Sequence, residues 1–157
     1  MTTTARDFFE RARAASQDAE RCARQLDGAE ARALAVGGGG FEPRVRSSPD
    51  PQRMERRADA HMDRERMLRS RMEADYELID RACVVLYGAN QDGRGGVCAE
   101  ASPVWADVLW WRYLADAKWS AVADAVGYSS RPCQQMCAQA LEWIDEAGFM
   151  ADVMDAG

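Results

Sequence analysis

The sequence predicts an all-α protein in which a long N-terminal helical arm or hairpin precedes a three-helix unit of the helix-turn-helix type. Three observations support this fold class. Apolar residues recur at helical spacing over two long stretches, capping residues with proline or glycine bound those stretches, and a short helix, a glycine turn and a longer helix follow one another near the C-terminus. We therefore expect an arm over 1–87, with a flexible linker at 37–51, and a helix-turn-helix domain over 102–149.

The first helix is expected to run from Thr4, a residue type that favours N-caps, to the glycine run beginning at Gly37. Asp7 lies in its first turn, where a negative charge is favourable. Its apolar stripe advances in alternating steps of four and three residues, the spacing of a coiled coil. The stripe consists of Phe8, Ala12, Ala15, Ala19, Cys22, Leu26, Ala29, Ala33 and Val36.

Four glycines and three prolines make residues 37–51 a linker. Asp50 and Pro51 then form a cap and a first helical position, so a second helix is expected over 51–87, ended by Gly88. Its stripe is Met54, Ala58, His61 or Met62, Glu65, Leu68, Met72, Tyr76, Ile79, Cys83 and Leu86. Two such helices predict a packed hairpin or an arm that forms a homodimer. The alternative is a single solvated helix held by Glu–Arg pairs.

After a second flexible loop over 88–101, three helices are expected, at 103–116, 120–126 and 131–147. Ser102 and Pro103 open the first of them, Gly127 and Tyr128 make the turn between the other two, and the polar tail from residue 151 is expected to fray. All five tryptophans lie in this last third of the chain, so we expect the compact core there. Trp105, Trp110 and Trp111 could stack on bases, but their helical spacing favours the core, with one of the adjacent Trp110 and Trp111 left exposed.

The segment from Trp119 to Leu141 has the layout of a helix-turn-helix. It is similar to region 4 of sigma-70-type factors, and residues 105–148 resemble the phage late-gene transcription regulators of the RinA and ArpU type. The matching elements, all in register, are Arg112-Tyr113-Leu114, Trp119, Val122-Ala123, Val126-Gly127-Tyr128-Ser129, Cys133 and Ala140-Leu141. This resemblance implies a phage or prophage regulator that binds double-stranded DNA with sequence specificity, with RNA polymerase or another protein as a further partner.

The resemblance also implies which residues meet the DNA. Ser129 or Ser130 would cap the recognition helix, whose first backbone amides would face a phosphate. The residues facing the major groove would be Ser130, Arg131, Gln134, Gln135, Ala138 and Gln139. Arginine pairs with guanine and glutamine with adenine through two hydrogen bonds each. Arg112 and Lys118 would contact flanking phosphates, which position a protein without reading sequence.

Charge supports a second hypothesis. The net charge is −6, and residues 103–157 hold three basic and eight acidic side chains. Because phosphate neutralisation supplies most non-specific DNA affinity, such a unit would bind DNA weakly as a monomer. In one version of the DNA-binding hypothesis, the phosphates are bound instead by the segment 44–71, which has nine basic and five acidic side chains. The alternative function is an acidic protein-interaction module, an inhibitor or adaptor of polymerase or a host defence complex, that kept the fold without the DNA face.

No pattern points to an enzyme, a metal or a cofactor. His61 is the single histidine and has no catalytic partner, and Cys133 with Cys137 makes at most half a metal site. The run Gly37 to Gly40 lacks the lysine and hydroxyl residue of a phosphate-binding loop. An odd set of five cysteines, a polar N-terminus and the lack of a long apolar run predict a reduced cytoplasmic protein without a membrane segment.

Overall fold

The computed structural model describes residues 2–37 and 50–156, apart from the side chains of residues 30 and 33–37. The part it describes is all-α and contains no strand, which confirms the prediction of an all-α protein. Residues 38–49 of the predicted linker lie outside the described residues. The helices are α1 (Ala5–Gly37), α2 (Pro51–Tyr87), α3 (Val97–Glu100), α4 (Pro103–Leu109), a π-helical turn (Trp110–Leu114), α5 (Trp119–Val126), α6 (Ser130–Ala147) and α7 (Ala151–Asp155).

Three predicted caps start three of these helices. Thr4 Oγ1 accepts a hydrogen bond from the backbone N–H of Asp7 at 3.2 Å, and Asp50 Oδ1 accepts one from Gln52 at 3.1 Å. Ser102 Oγ accepts from Trp105 N at 3.4 Å, with Pro103 as the first helical residue. Each side-chain oxygen satisfies an amide that the helix leaves unpaired.

The chain divides into two compact units, and the boundary falls within the two long helices. One unit comprises Met1–Asp18 and Asp75–Gly157, and the other comprises Ala19–Ala74. In the second unit Ala19, Cys22 and Leu68 are buried, and Arg64 donates a hydrogen bond to Gln25. All residues from Pro51 to Arg64 are exposed, so the start of α2 is a solvated helix within this chain.

The core of the first unit draws on every helix that the unit contains. Its largest fully buried side chains include Phe8 and Phe9 of α1, whose rings meet edge to face with centroids 5.3 Å apart. Phe9 also lies 5.7 Å from the ring of Tyr113. The remaining core residues are Ala5, Ala12, Ala82, Val85, Leu86, Val97, Ala106, Val108, Leu109, Leu114, Val122, Cys133, Cys137, Ala140, Leu141, Ile144 and Met154.

Four of the five tryptophans pack against this core, and one of the adjacent pair Trp110 and Trp111 is exposed, as expected. Trp105, Trp110, Trp119 and Trp143 are half-buried, and Trp111 is 37% exposed. The adjacent rings of Trp110 and Trp111 pack edge to face, 5.0 Å apart, at the surface of the unit. The phenylalanines of α1 occupy the interior.

Two segments expected to be irregular are helical. The loop over 88–101 contains α3, whose Val97 is fully buried, and the tail contains α7, whose Met154 is 2% exposed. Arg81 fastens α7 by donating to the carbonyl oxygens of Val153 and Met154, at 2.7 and 2.9 Å from Nη2. An apolar anchor and a cationic partner for the last carbonyls explain why this tail is ordered.

The predicted helix over 103–116 is interrupted. From Trp110 the hydrogen bonding widens, and the N–H of Ala115 donates to the carbonyl of Trp110 at 3.0 Å, a separation of five residues instead of four. Asp116, with φ of +52°, ends the segment. Within the described ranges, no helix is both long enough and apolar enough to cross a membrane.

Candidate nucleic-acid interface

The α5 helix and the turn after it follow the predicted limits to within one residue. Val122 is buried against the core, and Gly127 ends α5 with a left-handed φ of +81°, its N–H donating to Ala123 at 3.0 Å. A side chain at this φ would be strained, so glycine allows the chain to reverse within three residues. The helices α4, α5 and α6 pack against one another pairwise, which fixes α6 relative to the turn.

The first residues of α6 place both predicted cap serines at its N-terminus. Ser129 occupies the cap position in an extended conformation, but its side chain makes no capping hydrogen bond. Its carbonyl accepts from Cys133 N at 3.2 Å, and Ser130 begins the helix half-buried. The N–H groups at the start of α6 therefore have no side-chain cap, the arrangement in which a helix end attracts an anion.

The two faces of α6 differ sharply in exposure. The inner face buries Cys133, Cys137, Ala140, Leu141 and Ile144, with Met136 half-buried beside them, at the spacing of one helical face. The outer face consists of exposed side chains at successive steps of three, one, three and one residues: Arg131, Gln134, Gln135, Ala138 and Gln139. These predicted site residues form one continuous row, because such steps return to the same side of a helix.

The two basic residues predicted to flank this row lie next to α5, but their side chains differ in exposure. Lys118 immediately precedes α5 and is exposed. The Arg112 guanidinium lies over the ring of Trp119, 4.6 Å from its centroid, and its Nη1 donates to the carbonyl of Ala117 at 3.1 Å. Arg112 thus supplies a positive charge at a fixed place, with part of its hydrogen-bonding capacity already used.

Charge along the outer surface of α6 changes sign from its start to its end. Arg131 lies in the first turn, whereas Glu142, Asp145 and Glu146 lie in the last turns. A rise of 1.5 Å per residue puts Glu142 roughly 16 Å beyond Arg131 along the axis. The basic side chain of α6 is therefore confined to its N-terminal half and the acidic side chains to its C-terminal half.

The whole compact unit is acidic. Met1–Asp18 and Asp75–Gly157 together contain eight basic and 16 acidic side chains, a formal net charge of −8. The basic excess lies in Ala19–Ala74, with 12 basic and ten acidic side chains. A field of this sign opposes the approach of a polyanion at low salt.

The structure contains a groove between α4 and α6 that was not predicted from the sequence. This groove of about 410 Å³, open to solvent, is lined by Trp105 of α4 and by Gln139, Glu142, Trp143 and Glu146 of α6. The signal for the α6 side was present in the sequence, since these four residues share one face at helical spacing. The contribution of Trp105 depends on how α4 crosses α6, which no local pattern reveals.

The cysteines lie on the inner side of the same helices. Cys133 is fully buried, and Cys137 Sγ lies 3.8 Å from the hydroxyl of Tyr113. Burial raises the pKa of both thiols, so they are protonated core residues at neutral pH. His61 is exposed on α2.

Comparison of the chain with protein-family models, with curated proteins and with solved structures gives no match.

Proposed function

We propose that the chain is a sequence-specific DNA-binding transcription regulator of the phage or prophage type, in which α5 and α6 act as a helix-turn-helix. The observation that carries this proposal is the exposed row of Arg131, Gln134, Gln135, Ala138 and Gln139 on the helix that follows the left-handed turn at Gly127. In helix-turn-helix proteins the N-terminal residues of the second helix contact base edges in the major groove.

The chemistry of the row suits base reading. The Arg131 guanidinium can donate two hydrogen bonds to guanine, each glutamine amide can pair with adenine, and the Ala138 methyl suits thymine. Ser129 and Ser130 present the uncapped amides at the start of α6 to a phosphate, and Lys118 and Arg112 contact the backbone beside it.

The position of the acidic residues supports the same orientation. Glu142 and Glu146 lie in the half of α6 that points out of the groove when its N-terminal half enters it. The net charge of −8 on this unit still predicts weak non-specific binding by a monomer. We propose a homodimer through the N-terminal helices, which doubles the base contacts and brings the arginines of α2 to the complex.

The test is selection from a pool of random duplex DNA over a salt series. The full chain is compared with Arg131→Ala, with Gln135→Ala and with Arg11→Ala, which removes an exposed helical arginine of the same unit away from α6. Enrichment of one sequence that is lost in the first two variants and kept in the third supports the proposal. Equal retention of all sequences, or none at about 50 mM salt, overturns it.

The second candidate is an acidic protein-interaction module, an inhibitor or adaptor of polymerase or a host defence complex. The excess of 16 acidic over eight basic side chains in the unit that carries α6 favours it. Stable association with purified RNA polymerase in the absence of DNA, unchanged by Arg131→Ala, would support this candidate over the first.

A further inference from the structure

The groove between α4 and α6 lies beyond the base-reading row and has a different chemistry. Its walls are two indole rings, Trp105 and Trp143, and its rim carries the carboxylates of Glu142 and Glu146. Gln139 borders both surfaces. A phosphate would be repelled by the two carboxylates, so this groove is not an extension of the DNA face.

Helical turns fix the backbone beneath both walls of the groove. In the first turn of α4, the backbone N–H of Trp105 donates to Ser102 Oγ. The Trp143 ring packs on Phe149, with the centroids 5.1 Å apart. Phe149 itself is fixed because its N–H donates to the carbonyl of Ile144 at 3.0 Å, across the left-handed turn at Gly148. Rings positioned in this way need little reorganisation to receive a ligand.

The two carboxylates favour a cation in this place. Glu142 and Glu146 are one helical turn apart, both are exposed, and neither forms an ion pair with any residue in the described ranges. Like charges at this spacing destabilise a helix, so a positive group between them relieves repulsion that the free chain retains. An aromatic face attracts the same group through its quadrupole.

We propose that this groove binds an arginine side chain presented by a basic segment of a protein partner. A guanidinium is planar, stacks on indole and forms paired hydrogen bonds with carboxylates, whereas an ammonium does only part of this. The groove is too open to enclose a small molecule, since small-molecule sites bury most of their ligand. An open groove with aromatic walls suits one anchoring side chain in a larger interface.

The test uses the full chain without DNA and a fluorescein-labelled peptide that alternates arginine with glycine. Companion peptides carry lysine or the uncharged isostere citrulline in place of arginine. The groove variant is Glu142→Gln with Glu146→Gln. Its matched control, Glu10→Gln with Asp124→Asn, removes the same charge from exposed positions outside the groove. Because Arg131 is untouched and no DNA is present, the result is independent of the proposed DNA binding.

We expect the groove variant to raise the Kd for the arginine peptide about tenfold, and the control pair to change it less than about twofold. The lysine peptide binds more weakly, and the citrulline peptide does not compete. In a nitrogen–proton spectrum, the indole signals of Trp105 and Trp143 shift on titration and that of Trp119 does not. Equal losses in both variant pairs, or a response confined to other indoles, would overturn the proposal.

Discussion

Arg13 Nε donates a hydrogen bond to Asp116 Oδ1 at 2.6 Å, and this ion pair ties α1 to the residue that ends the π-helical turn. Gln17 Nε2 lies 3.2 Å from each oxygen of the same carboxylate. Ser16 Oγ donates to the carbonyl of Leu114 at 2.8 Å beside it. The arm helix therefore supplies polar partners to a strained backbone position that leads into α5.

Replacement of Asp116 by asparagine should lower stability by about 1 kcal/mol at pH 7, since both partners of the ion pair remain partly exposed. Asparagine tolerates the φ of +52°, so the change isolates the charge. The hydrogen bond from Arg13 holds the pKa of Asp116 below its ordinary value. The stabilisation that the ionised Asp116 carboxylate provides is thus present above its unfolded pKa, near 3.9. It is lost as the pH falls through the lower pKa of the folded protein.

Urea unfolding of the parent protein and of Asp116→Asn, at pH 7 and at about pH 3, measures this stabilisation. The difference between them should shrink at the lower pH, while Asp124→Asn should have little effect at either pH because its side chain is exposed. An Asp116→Asn difference of the same size at both values would mean that charge is not the cause.

Truncation of Phe8 or Phe9 to alanine should cost about 3–5 kcal/mol, because each ring is fully buried among the helices of the first unit. That loss approaches the whole stability of an ordinary domain. We therefore expect a fragment of residues 102–149 to be unfolded by circular dichroism. Arg11→Ala, an exposed change on the same helix, serves as the control and should leave the melting temperature within a few degrees. A cooperative melt of the fragment would show that α1 is dispensable.

Two glycines should respond to alanine in opposite ways. A Cβ at Gly96 would lie 2.5 Å from the carbonyl oxygen of Leu86 and 2.6 Å from the nitrogen of Gly88, backbone atoms that cannot rotate away. Gly96→Ala should therefore destabilise by about 2 kcal/mol or more. Gly28 lies inside α1 with open space around it, so Gly28→Ala should stabilise by roughly 0.5–1 kcal/mol.

Thermal melts of the two variants and of the parent protein measure both changes in stability. A higher melting temperature for Gly96→Ala, or a lower one for Gly28→Ala, would contradict the packing described at these positions.

The thiols of Cys133 and Cys137 should resist iodoacetamide in the folded protein. Both are buried, and burial raises the pKa of each, which lowers the fraction present as reactive thiolate. Cys83 and Cys98 are both half-buried, but burial raises the pKa of Cys83, so Cys98 should react first. Mass-spectrometric mapping over time, with a sample in urea as the fully reactive reference, measures the order. Early labelling of Cys133 would show that α6 opens easily from the core.

Helix limits were largely predictable because their determinants are local. Thr4, Asp50 and Ser102 cap as their side chains suggest, and Gly127 adopts the left-handed conformation that only glycine reaches without strain. The outward row of α6 was implied by the family resemblance, and its spacing agrees with one face of a helix. These features need no knowledge of what packs against them.

The core was less predictable, because it depends on which distant elements meet. Phe8 belongs to the heptad stripe predicted for α1, but Phe9, which lies outside that stripe, is also fully buried. The tryptophans lie at the edge of the core, four of them half-buried and Trp111 exposed, because indole combines an apolar face with a polar N–H. The groove at Trp105 and Trp143 was hidden for the same reason.

The π-helical turn has a consequence for chain length. A ring closed by Ala115 and Trp110 encloses one residue more than an ordinary turn, and Trp111 is the one residue between them with an exposed side chain. Removal of Trp111 would let the turn close as an α-helix while Leu109 and Tyr113 keep their inward direction. A deletion within α4 would instead rotate every later side chain by about 100°. Natural length variation in this region should therefore be concentrated at Trp111.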